Sequence, residues 1–168
     1  MSTIMSWLAR VSLCVALVTP AMLAAPASAE TKAATKASAQ KVSTSDLACL
    51  SEALYFEARG EGHKGQQAVA EVILNRVDHP KFPKSVCGVV NQKGQFTYKK
   101  GRIREQGAFN RAKKIAQAAL QGAPRNLTNG ATYFHTGAVK PSWSRKFERT
   151  TRIGSHTFYR SDRRLASN

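Results

Sequence analysis

Between Ala68 and Leu74 the chain reads Ala-Val-Ala-Glu-Val-Ile-Leu, apolar on nearly every side once it is wound into a helix. A helix of that kind, spanning Gly65 to Val77, has no face to give to water and must be the buried central element with others packed around it. Glu71 is the exception in the run. A carboxylate in such a helix is paired, or protonated through a raised pKa, or turned to solvent, and exposure is the expectation here. In 168 residues there is room for one core of this kind and not for two.

The flanking segments supply partners for that helix. Ser45 is placed to cap a first helix, Asp46 to Arg59, whose apolar positions Leu47, Leu50, Leu54 and Ala58 recur at helical spacing before Gly60 stops it. Pro80 and Pro83 break the chain, and a short helix is expected over Ser85 to Gln92. Lys93 to Arg104 is basic and punctuated by glycine, with Phe96 and Tyr98 interleaved, and reads as a surface loop or small hairpin. Glu105 to Gln121 is amphipathic, with Phe109, Ala112, Ile115, Ala116, Ala119 and Leu120 on one face and Gly122 past its end. Asn129-Gly130 marks a turn, Ala131 to His135 reads as extended, and Thr150 to Arg160 alternates about Gly154-Ser155 as a hairpin. The class implied is α+β: mainly helical, with a small β-hairpin appendage and no internal repeat.

The first 29 residues hold one charged side chain, Arg10, then an apolar run from Val11 to Val18 and the small-residue stretch Ala27-Ser28-Ala29. This order is that of a signal peptide cut after Ala29. A retained anchor is the competing reading, opposed by Pro20 and the short unbroken run. A lipoprotein is disfavoured because Leu13 precedes Cys14 where a small residue is wanted. Residues 30–44 are Ala, Lys, Thr and Ser with almost nothing large to bury, a flexible tether. The folded domain is expected over 45–160 and a basic polar tail over 161–168. Losing Arg10 from 26 basic residues against 10 acidic ones leaves +15. Such a surface attracts polyanions: nucleic acid, anionic lipid, or the carboxylates and phosphates of a bacterial envelope. Export argues against nucleic acid, and no stable membrane insertion is expected once the leader is cut. With Cys14 gone, Cys49 and Cys87 remain, two thiols in an oxidising compartment. One disulfide is expected, worth roughly 3–4 kcal/mol by loop entropy, the alternative being two buried free thiols.

The acidic residues are few, and most have structural uses. Asp46 lies in a first helical turn and Glu105 at a helix start, where negative charge complements the macrodipole. Glu57 differs: it falls in the last turn of the first helix, beside Tyr55 and Phe56 and just before Gly60-Glu61-Gly62. Partial burial and the negative helix end both disfavour its ionisation, the direction a general acid needs, while Arg59 pushes the other way. Spacing alone leaves an ordinary helix-end glutamate as the default. His135 and His156 show no zinc-type spacing, no cysteine cluster exists, and neither a nucleophile motif nor a phosphate-cradling loop is found, so no metal and no cofactor is expected.

Leu54–Gly62, Gly65–Ala70, Val72–Val77, Pro83–Val86, Gln95–Thr97, Ala131–His135 and Ile153–Tyr159, in this order, resemble the SleB/CwlJ family of cell-wall hydrolases over most of Leu47 to Arg160. The resemblance implies a domain similar to the lysozyme-like fold of lytic transglycosylases, with peptidoglycan as partner and substrate. It places the catalytic glutamate at Glu57, as acid and then base in cleaving between N-acetylmuramic acid and N-acetylglucosamine. If the muramyl C6 hydroxyl attacks, one carboxylate suffices and a 1,6-anhydro end results. Hydrolysis usually needs a second carboxylate. Glu61 is the nearest by sequence, though a salt bridge or a cap on the next helix is its expected use. The one-glutamate reaction is preferred, with muramidase-type hydrolysis and a noncatalytic peptidoglycan-binding module as alternatives. Sugar rings present apolar CH patches ringed by hydroxyls, and Gln95, Phe96, Tyr98, Tyr133, His135 and Trp143 suit such a groove. Plain packing competes for each of them, most strongly for Phe96.

Overall fold

The computed structural model describes residues 42–96 and 101–161. The expected leader, most of the tether, the tail from 162 onward and Tyr98 lie outside those residues.

Among the described residues four helices form the body: α1 (Thr44–Ala58), α2 (His63–Asp78), α3 (Val86–Val90) and α4 (Gln106–Leu120). The cap of α1 is Ser43 and not the expected Ser45: the Ser43 hydroxyl accepts from the Asp46 amide at 3.4 Å, and Ser45 sits inside the first turn. Starting there puts Asp46 three residues after the cap, the spacing at which an acidic side chain faces the free amides of the first turn. Asp46 also accepts from the Cys87 amide at 3.4 Å. α2 is the central helix the sequence demands, burying Ala68, Val69, Ala70, Val72 and Ile73. Its Val69 and Ile73 share one buried core with Leu50, Leu54 and Tyr55 of α1, Val86 and Val89 of α3, and Ile115 of α4. The buried Tyr55 hydroxyl accepts from the Arg104 and Glu105 amides, both at 3.2 Å, and so fixes where α4 begins. Cys49 and Cys87 are bonded, with Cα atoms 5.3 Å apart, tying α1 to α3. Among the described residues, no helix is long and apolar enough to cross a membrane.

The β part is larger than a hairpin. Strands β1 (Tyr133–Thr136), β2 (Glu148–Ile153) and β3 (His156–Arg160) form an antiparallel sheet in the order β1-β3-β2. Tyr133 pairs with Tyr159 and His135 with Thr157. Phe158 on the middle strand packs with Ala131 onto Ala68 and Val72, so a second, smaller core seats the sheet on α2. The described parts of the 93–104 segment contain turns and irregular chain, and no strand is found among them.

Glu71 overturns the expectation of exposure. It is 4 % exposed, and its carboxylate accepts from the Leu127 amide at 3.1 Å, the Thr128 amide at 2.9 Å and the Thr128 hydroxyl at 3.0 Å. These bonds replace the water that a buried carboxylate loses. Further along α2, Asn75 donates to the Ala131 carbonyl at 2.9 Å and the Arg76 Nε to the Thr132 carbonyl at 2.6 Å. The residues from 127 to 132 are therefore stapled along one polar edge of an otherwise apolar helix.

Candidate active site

A cleft of about 560 Å³ opens between the end of α1, the sheet and the chain around a single 3-10 turn, Ser142–Arg145. Glu57, Arg76, Gln95, Tyr133, His135, Trp143 and His156 are among its lining residues. Glu57 reaches it from the last turn of α1, half-buried, and burial raises its carboxyl above the ordinary carboxylate range. The competition between burial and Arg59 is settled by direction. Two residues on, Arg59 turns away, its guanidinium 5.1 Å from the Tyr55 ring centre and its Nε 3.6 Å from Glu105.

β1 and the 3-10 turn supply an aromatic wall. Trp143 lies 5.3 Å from Tyr133, 5.7 Å from His135 and 5.6 Å from Phe147, ring centre to ring centre. His135 stacks on Tyr159 at 5.2 Å, with Nδ1 2.8 Å from the Thr136 carbonyl and Nε2 3.0 Å from the Tyr159 hydroxyl. A carbonyl can only accept, so Nδ1 carries a proton, and in the neutral ring Nε2 accepts from Tyr159. The ring is thus held in one orientation. The wall offers flat faces with polar edges, which is what a pyranose needs.

Two cleft residues escape a reading of the sequence. Arg76 is 4 % exposed, with the rings of Phe82, Phe96 and Tyr133 at 5.3–5.4 Å from its guanidinium carbon. Burial lowers its pKa to about 10, against a smaller opposing effect of Tyr133, so it remains charged at neutral pH. His156 is 2 % exposed, and its pKa is lowered by burial first, with Glu61 raising it and His135 lowering it. Nothing in an Asn-Arg dipeptide at a helix end, or in a histidine on a strand, distinguishes a cleft residue from a surface one. Only the fold brings them there.

Glu61 goes elsewhere. Its side chain is 13 % exposed and stands 3.5 Å from the His156 Nδ1. It accepts from the Ser155 amide at 3.3 Å and, in a short bond, from the Ser155 hydroxyl. It therefore binds the turn between β2 and β3 to the start of α2, and it lines a separate cavity of about 310 Å³ with His63, Gln66, Arg111 and Lys114. The turn is shaped for it: Gly154 has φ +58°, and a Cβ there would overlap the Glu61 carboxylate. Of the residues expected at a sugar groove, Gln95, Tyr133, His135 and Trp143 line the cleft with Glu57, whereas Phe96 packs against the core and Arg76. Among the described residues no group of three or more His, Cys, Asp or Glu is arranged to hold a metal ion.

Residues 60–159 match the model of the Cell Wall Hydrolase family, a match that begins just after Glu57 and includes Glu61. The chain is 36 % identical over 117 residues to the spore cortex-lytic enzyme of Halalkalibacterium halodurans and 35 % identical over 117 residues to that of Bacillus subtilis. Each alignment covers 69 % of this chain but only 35 % and 38 % of those relatives, so the chain spans well under half of their length. Two solved structures share the fold: the catalytic domain of SleB from Bacillus cereus, with TM-score 0.59, and that of the germination-specific lytic transglycosylase SleB from Bacillus anthracis, with TM-score 0.60. Both are 31 % identical, and the match covers 72 % of this chain and 94 % and 98 % of theirs. The α+β, mainly helical, lysozyme-like class expected from the sequence is borne out. Fold and sequence agree, and the chain belongs to the cell wall hydrolase family.

Proposed function

We propose that this protein cleaves the glycan strand of peptidoglycan between N-acetylmuramic acid and N-acetylglucosamine as a lytic transglycosylase, with Glu57 as its single catalytic carboxylate. The observation that carries this reading is that Glu57 is the one carboxylate among the described residues lining the cleft, and that burial favours its protonated form. Protonated Glu57 donates its proton to the glycosidic oxygen as the bond to C1 breaks. The resulting carboxylate then takes the proton from the muramyl C6 hydroxyl as that oxygen attacks C1, closing a 1,6-anhydro ring and restoring the acid. No water is consumed. Glu61, bonded to Ser155 and directed at another cavity, is poorly placed to activate a water in the cleft, which favours this route over two-carboxylate hydrolysis. The names of the solved SleB domain and of the spore cortex-lytic relatives support the same substrate class.

The expected leader, and the net charge of +15 left once it is cut, fit an envelope location, where a cationic protein meets an anionic polymer. The test is Glu57→Gln, close in shape and unable to donate as an acid. It should leave no clearing of peptidoglycan in a renatured gel, while mass spectrometry of wild-type digests should find 1,6-anhydromuramic ends. Reducing muramic ends would replace transglycosylation with hydrolysis. A Glu57→Gln protein that clears sacculi like wild type would remove Glu57 from the chemistry.

A further inference from the structure

Arg76 is a charged group with unused donors at the site of the proposed reaction. A guanidinium carries five N–H donors in one plane. Here Nε is used on the Thr132 carbonyl, and Nη1 is buried with no hydrogen-bond partner among the described residues. No carboxylate pairs with it among the described residues. Phe82, Phe96 and Tyr133 surround it, and ring faces attract the charge but accept poorly from in-plane N–H groups. Buried donors left without an acceptor are costly, more so when the group is charged, and folded proteins seldom keep them without a use. The packing fixes the plane of the fork, and the residue shares the cleft with Glu57.

The missing partner is thus a planar oxygen acceptor brought in by the substrate. Sugar hydroxyls are both donors and acceptors and do not need a buried cation. The glycan of peptidoglycan has stronger acceptors in its acyl groups: the acetamido carbonyls of both sugars and the lactyl acyl group of the muramyl residue. Resting on the glycan-cleaving function proposed above, we infer that Arg76 anchors the glycan in the cleft by donating from its guanidinium to a substrate acyl oxygen. Arg76 is a binding residue on this account and takes no part in proton transfer. It would also hold Tyr133 and the start of β1 in the same place with or without substrate.

The experiment uses the full chain carrying Glu57→Gln, so that glycan binds without turnover, with nitrogen-15 in its arginine side chains. Soluble glycan fragments are added while the Arg76 Nε and Nη resonances are followed by NMR. The expected result is a displaced Arg76 Nη resonance and slowed guanidinium rotation at saturation. Loss of the effect with de-N-acetylated fragments assigns the acceptor to an acetamido group. Loss or marked change when an amidase has removed the stem peptides, leaving a bare lactyl carboxylate, assigns it to the lactyl group. Bound glycan with unmoved Arg76 resonances overturns the inference and leaves the function standing. In turnover, Arg76→Lys keeps the charge but loses the fork, and should raise KM about 10- to 100-fold with kcat little changed. A well-folded Arg76→Lys protein with wild-type KM would also overturn it. Failure of the function itself would show differently, as absent glycan products from wild type.

Discussion

Replacing Glu71 by alanine tests whether the wall of the cleft is held by the buried carboxylate beneath it. The change removes the acceptor of the Leu127 amide, the Thr128 amide and the Thr128 hydroxyl. Thr128 is fully buried, so its amide is left without water or partner, whereas Leu127 is half-buried and regains some solvent. The Thr128 hydroxyl oxygen still accepts a long bond from Asn75 at 3.4 Å, but its O–H loses the acceptor it had in Glu71. Two orphaned donors on the buried Thr128 and one partly orphaned donor on Leu127 together cost about 3–7 kcal/mol, on the scale of 1–3 kcal/mol for each buried unsatisfied group. For a domain whose whole stability is of the order of 5–15 kcal/mol this is a large fraction. Glu71→Gln keeps one oxygen for Thr128 but turns an amide donor toward another N–H, and should fall between alanine and wild type. Urea unfolding followed by circular dichroism, with the disulfide intact, measures both. Because the stapled segment leads directly into Tyr133, sacculus clearing by the alanine variant should fall at temperatures where its helices persist. A Glu71→Ala midpoint equivalent to less than about 1 kcal/mol of loss would refute the assignment of these bonds as the staple.

Other perturbations read other parts of the molecule. Reduction of Cys49–Cys87 should lower unfolding free energy by at most about 4 kcal/mol, the loop-entropy value for its spacing, as seen in urea midpoints with and without reductant. Gly154→Ala should lower the melting temperature by the equivalent of about 1–3 kcal/mol, since a side chain at positive φ is strained and this one also displaces Glu61. Gly60→Ala, with open space around its Cβ, should stay within about 0.5 kcal/mol of wild type in the same melt. For Glu57 the folded-state pKa lies above the unfolded one, so its contribution to stability is fully present below the ordinary carboxylate range and is lost as pH rises through the raised value. Comparing urea midpoints across that window should show Glu57→Gln losing less stability than wild type as pH rises. The basic limb of the wild-type activity profile should fall over the same raised range.

The helices were legible because their signals are local: apolar spacing in α1 and α4, a run apolar on all sides in α2, and breakers between them. What was not legible depended on contacts between distant residues. Glu71 looks like a solvent-facing interruption until the segment at Leu127 and Thr128 covers it, 56 and 57 residues away. β1 has only four residues, and its own pattern does not say that it joins the hairpin; the partner strand decides that. Glu57 is singled out by the resemblance of the segment around it, since its helix-end position alone marks it as an ordinary glutamate and the cleft it faces is built from distant residues. Arg76 and His156 are not, since their surroundings come from aromatic rings and strands elsewhere in the chain.

The sharpest discrimination left by the structure lies between two glutamates four residues apart. Glu57 is inside α1 and faces the cleft; Glu61 follows the helix end, and its carboxylate is turned to the Ser155 turn. Glu61→Gln keeps an oxygen that accepts from Ser155 and removes the charge beside His156. If one carboxylate performs both proton transfers, this variant should lose at most about tenfold in rate, the scale of one weakened charge-assisted hydrogen bond, and its products should still end in 1,6-anhydro rings. Glu61→Ala should lose more, and the loss should follow its melting temperature, because an unpinned turn lets His156 and β3 shift. Two-carboxylate hydrolysis demands the opposite order: Glu61→Gln as inactive as Glu57→Gln, in a protein that melts like wild type. Rates and melts on the same samples therefore separate a group that transfers a proton from one that holds the strand beside it.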